Sequence, residues 1–461
     1  MIRLAYAQRS LVEVLLPDGD KLWDPVLRRI DAELEDEGLL DVMMEALARR
    51  RPLSSRRGRP GTPATVALRM LVLKHLFDWS FDECEREVRA NLVYRAFCRI
   101  AGERVPDAKT LIRLAQLFDG PTLTQLLERL VAIARERRVV RGRRLRVDTT
   151  VVETTIHYPT DSTLLADGVR VLTRTLKRLR TAATDGVVRL RDRMRSVGRR
   201  VFAIAQLSRH AGQAPVKARM QRLYRQLMGH TRAVIRQAET AVRQVARGTV
   251  RGRGLAQMEV EGLAQQLRET GGLVRRVLAQ TRARIIKGNT HYPNKLLSLF
   301  EPQTEAIRKG KAVKPTEFGK LVKIQEAEAQ FITDYEVCER RVPDQALWVP
   351  SLLRHEQLFG RAPHLAVADA GFASRANERA AYARSVRTVV LPWQRRKGRS
   401  RAARAALKWR TGCEARISAL KRRHGLRRSR YRGLAGMQRW VGLGVIANNL
   451  LVLGRAGPRT R

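Results

Sequence analysis

The feature that most constrains the fold is a long stretch, residues 162–287, in which apolar side chains recur at helical spacing. Five of them follow one another at steps of four and three: Leu165, Val169, Leu172, Leu176 and Leu179. These intervals align side chains along one face of an α-helix. Similar spacing continues from Leu223 to Val245, and glycine-rich segments interrupt it. We therefore expect a large all-helical insertion over residues 161–290, with a structural packing role or contacts to DNA phosphates.

Strand-like segments lie on both sides of this stretch. LRVD at residues 145–148 is a short apolar strand, and EFGKLVKIQEAEAQFITDYEV at 317–337 predicts a β-hairpin. Two further strands, HLAVAD at 364–369 and RTVVL at 387–391, alternate with helical segments, an order typical of an α/β sheet. We expect the first strand of a core at 140–160 and the remainder of that core at 291–455.

The segment before the first strand is predicted to be helical. Ser80 and Glu83 have the spacing of a capping box, and Pro106-Asp107 begins another helix. Small three-helix units of this kind can enter the major groove of DNA, although many do not. Residues 1–130 are therefore interpreted as an N-terminal helical domain and a candidate for DNA binding.

The net charge of the chain indicates which class of molecule it binds. The chain of 461 residues has 91 Lys and Arg against 44 Asp and Glu, a net charge of +47. A GC-rich genome enriches arginine, but that origin does not explain the surplus over acids, whereas a nucleic-acid partner does. The four cysteines show no zinc or disulfide spacing, and no signal peptide or membrane-spanning run is present. We expect a cytoplasmic protein without a membrane partner.

The positions of two aspartates in the sequence indicate what kind of reaction the protein catalyses. Asp148 ends LRVD and Asp369 ends HLAVAD, and ligands of open α/β sheets bind outside the carboxyl ends of strands. Two such aspartates on neighbouring strands would repel each other without a cation. Mg²⁺ takes oxygen ligands and bridges to phosphate oxygens. A metal-dependent phosphodiester site is therefore predicted.

The choice of a third acid is narrow. Only Glu378 and Glu414 follow Asp369, and Glu378 is expected on a helix that leads away from the sheet edge. Residues 393–432 contain sixteen Lys or Arg and Glu414 as the one acid, a composition suited to phosphates. We therefore prefer Glu414, with a surface ion pair as the alternative. Asp161 is predicted to cap a helix, and His157 and His291 to be structural.

Four stretches resemble bacterial insertion-sequence transposases of the DDE class. They are RVDTTVVETTIHYPTDSTLL, EPQTEAIRKGKAVKPTEFGKLV, VADAGFAS and GCEARISALKRRHGL, and they occur in the order of that family. The resemblance covers about 55–125, 143–165 and 290–455. It implies an α/β fold, namely a ribonuclease-H-like mixed-sheet core, with the N-terminal helical domain and the helical insertion added to it.

The resemblance also implies site residues. Asp148, Asp369 and Glu414 would be the catalytic, metal-binding triad, in agreement with the choice made from position. Related transposases show Tyr, Arg, Glu and Lys around the last acid; here Arg410, Glu414 and Lys421 match, but position 407 is leucine. Trp409 is the nearby aromatic candidate for stacking on a base. The residues expected to hold the DNA backbone are Arg410, Lys421, Arg422 and Arg423.

The implied function is cutting of transposon ends and their joining to target DNA, by metal-dependent hydrolysis and transesterification. The cofactor would be Mg²⁺, with Mn²⁺ able to replace it. ATP is not expected, and the chain lacks a GxxxxGK[ST] loop. Partners would be double-stranded DNA with terminal repeats, target DNA and further copies of the chain in a homodimer or larger assembly at the bacterial nucleoid. A nuclease without strand transfer and an inactive basic DNA-binding protein are the rival interpretations.

Overall fold

The chain forms two compact units, each with its own hydrophobic core. Unit 1 consists of Met1–Thr155 and Ile307–Arg461, and unit 2 of Ile156–Ala306. The structure, a computed structural model, describes residues 3–4, 19–50, 61–100, 102–210, 214–308, 315–392 and 401–457. No helix within these ranges is both long enough and apolar enough to span a membrane.

Unit 1 begins with helices that precede the sheet. They are α1 (Pro25–Glu33), α2 (Glu37–Arg50), α3 (Ala64–Leu76), α4 (Phe81–Ala90), α5 (Leu92–Phe97), α6 (Ala108–Ala115) and α7 (Gly120–Glu136), after a short 3-10 turn at Gly19–Leu22. The predicted capping box is confirmed, because Ser80 accepts from the Glu83 amide and the Glu83 carboxylate accepts from the Ser80 amide. Asp107 caps α6, as the Pro106-Asp107 pattern predicts.

The sheet of unit 1 is mixed. Its strands are β1 (Arg144–Glu153), β2 (Glu305–Arg308), β3 (Thr316–Glu326), β4 (Ile332–Val337), β5 (Leu365–Val367) and β6 (Thr388–Val390). The order is β2-β3-β1-β5-β6, with β4 also paired to β3. β3 is antiparallel to β1 and β4, whereas β5 is parallel to β1 and β6. The predicted hairpin and both later strands are confirmed, and the chain is α/β.

Helices cover both faces of this sheet. Because strand side chains alternate, Arg146, Asp148 and Val152 share one face, which we call the first face, and Val147 lies on the second. The second face packs against Trp348 and Leu352 of α12 (Trp348–Phe359) and against Ala381 of α13 (Arg375–Ala383); members of this core include Leu145, Val147, Val151, Leu321, Ala366 and Phe372.

The first face packs against helices from both ends of the chain. Val152, Val322 and Ile324 belong to one apolar core with helices that precede the sheet and with α15 (Gly433–Arg455). α15 contacts α1, α3 and α7. Helix α14 (Arg401–Arg423) lies against β1, β5 and β6. The N-terminal helices are therefore built into the same unit as the sheet.

The core of unit 2 is formed by helices. The unit contains α8 (Asp161–Ala182), α9 (Met194–Leu207), α10 (Ala214–Ala246) and α11 (Leu255–Thr281), with a 3-10 turn at Ser208–His210 and a π-helical turn at Arg282–Ile286. Its core contains all five leucine and valine residues of the periodic seam, together with Leu227, Val234, Val260, Leu267, Val274 and Val277. The helical periodicity of the sequence thus marks the buried faces.

One prediction in unit 2 is wrong. Thr160, not Asp161, caps α8, because its hydroxyl accepts a hydrogen bond from the Thr163 amide. Asp161 is the first helical residue, and its carboxylate turns away to accept from Thr281 at 3.3 Å and Arg284 at 3.1 Å. The expected structural role of His157 agrees with an Nε2 to Asp167 Oδ2 distance of 3.4 Å.

Candidate active site

Asp148 and Asp369 follow a pair of residues that the two parallel strands bring into register. Arg146 of β1 pairs with Val367 of β5, the last pair of that ladder, and each of these residues lies two positions before one of the aspartates. If the register continued, it would set Asp148 and Asp369 on adjacent strands. Asp369 follows β5, as predicted. Asp148, however, lies within β1 rather than at a strand end, because Thr149–Glu153 also pair with β3 and the strand continues to Glu153.

Asp148 is held in a buried setting. Its side chain lies on β1 opposite Ile324 of β3, and the residue is 8% exposed. The Thr149 amide donates to Asp148 Oδ1 at 2.7 Å, which fixes one carboxylate oxygen. Such a carboxylate is preorganised to accept charge-assisted bonds or to bind a cation.

Asp369 is fixed by the turn that follows β5. Its carboxylate accepts from the Gly371 amide at 2.9 Å and caps a 3-10 turn, Ala370–Phe372. A second acid lies there: a Cβ on Gly371 would stand 2.8 Å from Asp344 Oδ2 and 3.1 Å from Asp369 Oδ1. Asp344 also accepts from Thr149 Oγ1 at 3.1 Å. The sequence gives no signal for Asp344, because it lies in a 3-10 turn far from any strand end.

Helix α14 approaches β1 closely at Gly412. Arg146 Nη1 donates to the Trp409 carbonyl at 2.6 Å, and a Cβ on Gly412 would stand 2.4 Å from the same nitrogen. A side chain at position 412 would therefore have to displace the Arg146 guanidinium. The Arg146 guanidinium also lies 4.8 Å from the Trp409 ring centroid. Trp409, the candidate for base stacking, is thus half-buried against an arginine of β1.

Two buried groups near this contact have raised pKa values. Burial raises the pKa of the Glu326 carboxyl, an effect that the neighbouring Arg146 opposes. Burial also raises the pKa of the Cys413 thiol well above its usual range, and the negative charges of Glu326 and Asp148 add to that shift.

Glu414 itself points outward. Its side chain is 60% exposed, and Oε1 accepts from Arg410 Nη2 at 3.0 Å, one helical turn earlier. This is the surface ion pair that the sequence left open. In the described part of the chain, no three His, Cys, Asp or Glu side chains are grouped to hold a metal ion. The structure places α14, the helix that carries Glu414, against Arg146 of the first face.

The cations predicted to hold DNA lie along α14 and beyond it. Arg422 and Arg423 are exposed, Lys421 is half-buried, and Arg410 is occupied by Glu414. After α14 the chain returns to β1, since the Glu153 amide donates to the Arg427 carbonyl at 3.2 Å. Exposed Arg427 and Arg428 were not predicted as DNA contacts, and this bridge brings them to the end of β1. The basic residues 393–400 lie outside the described ranges.

Two family models match the chain. A Transposase domain (DUF772) matches residues 13–117, and a Transposase DDE domain matches residues 373–453. The second match contains Glu414, whereas Asp148 and Asp369 lie outside both. Comparison with curated proteins and with solved structures gave no match. The two domain matches, in this order on one chain, support the family that the sequence motifs resemble, the insertion-sequence DDE transposases, and they indicate a DNA transposase.

Proposed function

We propose that this transposase cuts transposon ends and joins them to target DNA with Asp148, Asp369 and Glu414 as its catalytic carboxylates. The observation that carries the proposal is the β1–β5 register, in which Arg146 pairs with Val367, because each of these residues lies two positions before one of the two aspartates. Parallel neighbouring strands are about 4.8 Å apart, so two ionised carboxylates at this spacing favour a shared cation. A ribonuclease-H-like core is proposed with it, supported by central β1 between antiparallel β3 and parallel β5.

The oxygen donors of the aspartate pair fit a divalent cation. Both carboxylates have one oxygen that accepts from a backbone amide, and carboxylate oxygens are the ligands that divalent cations such as Mg²⁺ prefer. Glu414 would join them by exchanging Arg410 for the cation, a change of side-chain rotamer on an exposed helix surface. Mg²⁺, or Mn²⁺ in its place, would lower the pKa of a bound water molecule and neutralise phosphate oxygens.

The protein's own residues bind and orient the DNA. Arg422 and Arg423, with Lys421, lie on the helix that carries Glu414, and they would hold phosphates next to the carboxylates. Hydrolysis of a phosphodiester at the transposon end leaves a 3′-hydroxyl. That hydroxyl then attacks a target phosphodiester, so that one P–O bond forms as another breaks. No net bond energy is required, and ATP has no role.

The test is cleavage and joining of labelled duplex DNA that bears the element's own ends. We expect Mg²⁺-dependent nicking by the wild type, loss of nicking in Asp148→Asn, Asp369→Asn and Glu414→Gln, and DNA affinity within about threefold of wild type. Glu378→Gln is the matched control, because it removes an acid of α13, and it should cut normally. Wild-type cutting by Glu414→Gln would refute the triad.

The same assay separates the rival functions. A nuclease would hydrolyse the substrate but give no joined product when target DNA is added. An inactive DNA-binding protein would bind with the same affinity in Mg²⁺ and in chelator and would never cut. Formation of joined product by the wild type is the result that the transposase mechanism requires.

A further inference from the structure

A strongly basic cavity lies at the edge of the sheet where the parallel strands begin. Its volume is about 580 Å³, and most of its lining is arginine. We call these residues the basic rim: Arg135, Arg138, Arg141, Arg143 and Arg361. All five are exposed. Asp369 lies at the other end of β5, four residues or about 13 Å along the strand from Leu365.

The backbone amides of the loop that carries Arg141 and Arg143 point toward one carboxylate of the protein, that of Glu328. Four successive amides, of Arg141, Gly142, Arg143 and Arg144, donate to the Glu328 carboxylate at 2.6 to 3.2 Å. Gly142 has a φ of +64°, which allows the loop to turn its amides toward one point. This carboxylate fixes the loop, and therefore the direction in which its arginines leave the backbone.

Two rim side chains are held in place by carbonyl groups. Arg135 Nη1 donates to the Leu358 carbonyl at 2.6 Å, and Arg361 donates to the Arg141 carbonyl. Arg135 also lies 5.6 Å from the ring centroid of Phe359, which lines the cavity. An arginine side chain that is already held in position by hydrogen bonds loses less conformational entropy when it binds a ligand. The rim is therefore organised without any partner.

The rim carries charge that the protein does not neutralise. Nearby Arg354 and Arg384 are ion-paired, with Glu128 and Glu356. Within the described ranges, no rim guanidinium has a carboxylate at ion-pair distance. Five arginine charges face one Glu328 carboxylate and the C-terminus of α7, which is equivalent to about half a negative charge. A surplus of about +3.5 remains, and a structural role in capping α7 does not account for it.

The basic surface continues across the strands. A second cavity of about 460 Å³ shares Arg143 and adds Arg144, Arg387 and His364. These residues lie at the beginnings of β1, β5 and β6, which together span about 10 Å. Duplex DNA carries about six phosphate charges over that length. The spacing and sign of the surface therefore match a DNA backbone.

We propose that the basic rim binds the phosphate backbone of duplex DNA, as a contact separate from that of Arg410 and Lys421–Arg423. Its assignment to transposon or target DNA rests on the proposed function, but binding at the rim requires neither metal nor cleavage. Arginine suits this role because its planar donors grip phosphate oxygens in pairs.

The test measures the affinity of the full chain for a fluorescent 30-base-pair duplex of arbitrary sequence, in chelator, between 50 and 200 mM salt. The variant is Arg138→Ala with Arg143→Ala. The matched control is Arg178→Ala with Arg275→Ala, which removes two exposed arginines that are paired with Glu259 and Glu239. Both doubles should keep the wild-type Tm, because all four side chains are exposed.

Each phosphate contact contributes about 0.9 to the slope of log affinity against log salt. The slope for the Arg138→Ala, Arg143→Ala variant should therefore be smaller than the wild-type slope by about 1.8. Between 50 and 200 mM salt, the affinity of the wild type should then fall by a factor about 12 times larger than the affinity of the variant. The control should keep the wild-type slope. Equal affinities and slopes in the two doubles would overturn the proposal. Because chelator is present, failure of the cleavage mechanism would leave these readings unchanged.

Discussion

Arg146 and Glu326 form a buried ion pair between β1 and β3, with guanidinium to carboxylate contact at 2.5 Å and side-chain exposures of 2% and 0%. The pair sits in direct register, since Arg146 lies opposite Glu326 in the ladder. Arg146 then reaches on to the Trp409 carbonyl of α14. A single side chain thus connects the strand of Asp148 to the helix of Glu414.

Removing one partner of this pair should be costly. Arg146→Met leaves Glu326 buried without its cation, and we expect the free energy of unfolding to fall by about 3 to 5 kcal/mol. Adding Glu326→Leu should restore most of that loss, because no uncompensated charge then remains. Urea denaturation of both variants at pH 7 measures the difference. A single variant as stable as the double would show that the pair does not act in this way.

Gly412 should control how closely α14 approaches β1. A methyl group there meets Arg146 Nη1 at 2.4 Å, and that nitrogen is fixed by the Trp409 carbonyl. We expect Gly412→Ala to lower the free energy of unfolding by about 1 to 3 kcal/mol and to slow cleavage at Glu414. Gly198→Ala, in a helix with nothing within 4 Å, is the control and should stabilise by roughly 0.5 to 1 kcal/mol. Equal stability changes would contradict the close contact.

Sequence periodicity gave a correct account of the α/β order, the hairpin and the helical seam of unit 2, because each depends on local alternation of apolar residues. Asp148 was expected at a strand end. The pairing of Thr149–Glu153 with β3 joins residues that are 166 to 174 positions apart in the chain, so local sequence patterns could not predict it. The same holds for Asp344, which becomes notable only when folding brings it beside Asp369. Thr160 took the capping role from Asp161 because distant Thr281 and Arg284 bind that carboxylate.

Asp344 should affect cation affinity more than the chemical step. Its carboxylate adds negative charge beside Asp369 and is oriented by Thr149. We expect Asp344→Asn to raise the Mg²⁺ concentration for half-maximal cleavage by about threefold to tenfold, with the maximal rate changed less. Titration of cleavage with Mg²⁺ separates the two effects. If Asp344→Asn were as inactive as Asp369→Asn at saturating Mg²⁺, Asp344 rather than Glu414 would be the third carboxylate.

Lys74 should make stability depend on alkaline pH. It is 1% exposed in α3, and its ammonium lies 4.8 to 5.3 Å from the ring centroids of Phe81, Tyr431 and Trp440. Burial lowers the pKa of Lys74 from 10.5 to about 8. Between these values the unfolded chain binds more protons than the folded chain, so the free energy of unfolding increases as pH rises from about 8 to 10.5.

The gain from Lys74 is at most about 3 kcal/mol, since each pKa unit corresponds to about 1.4 kcal/mol and the three rings favour the charged form. Lys74→Met should remove this rise and leave the protein at least as stable at pH 7. Urea denaturation of wild type and variant at pH 7, 8, 9 and 10 gives the difference, in which the titration of Tyr431 and Cys84 cancels because both residues remain. A difference between the two proteins that stays constant with pH would show that the Lys74 ammonium is not desolvated.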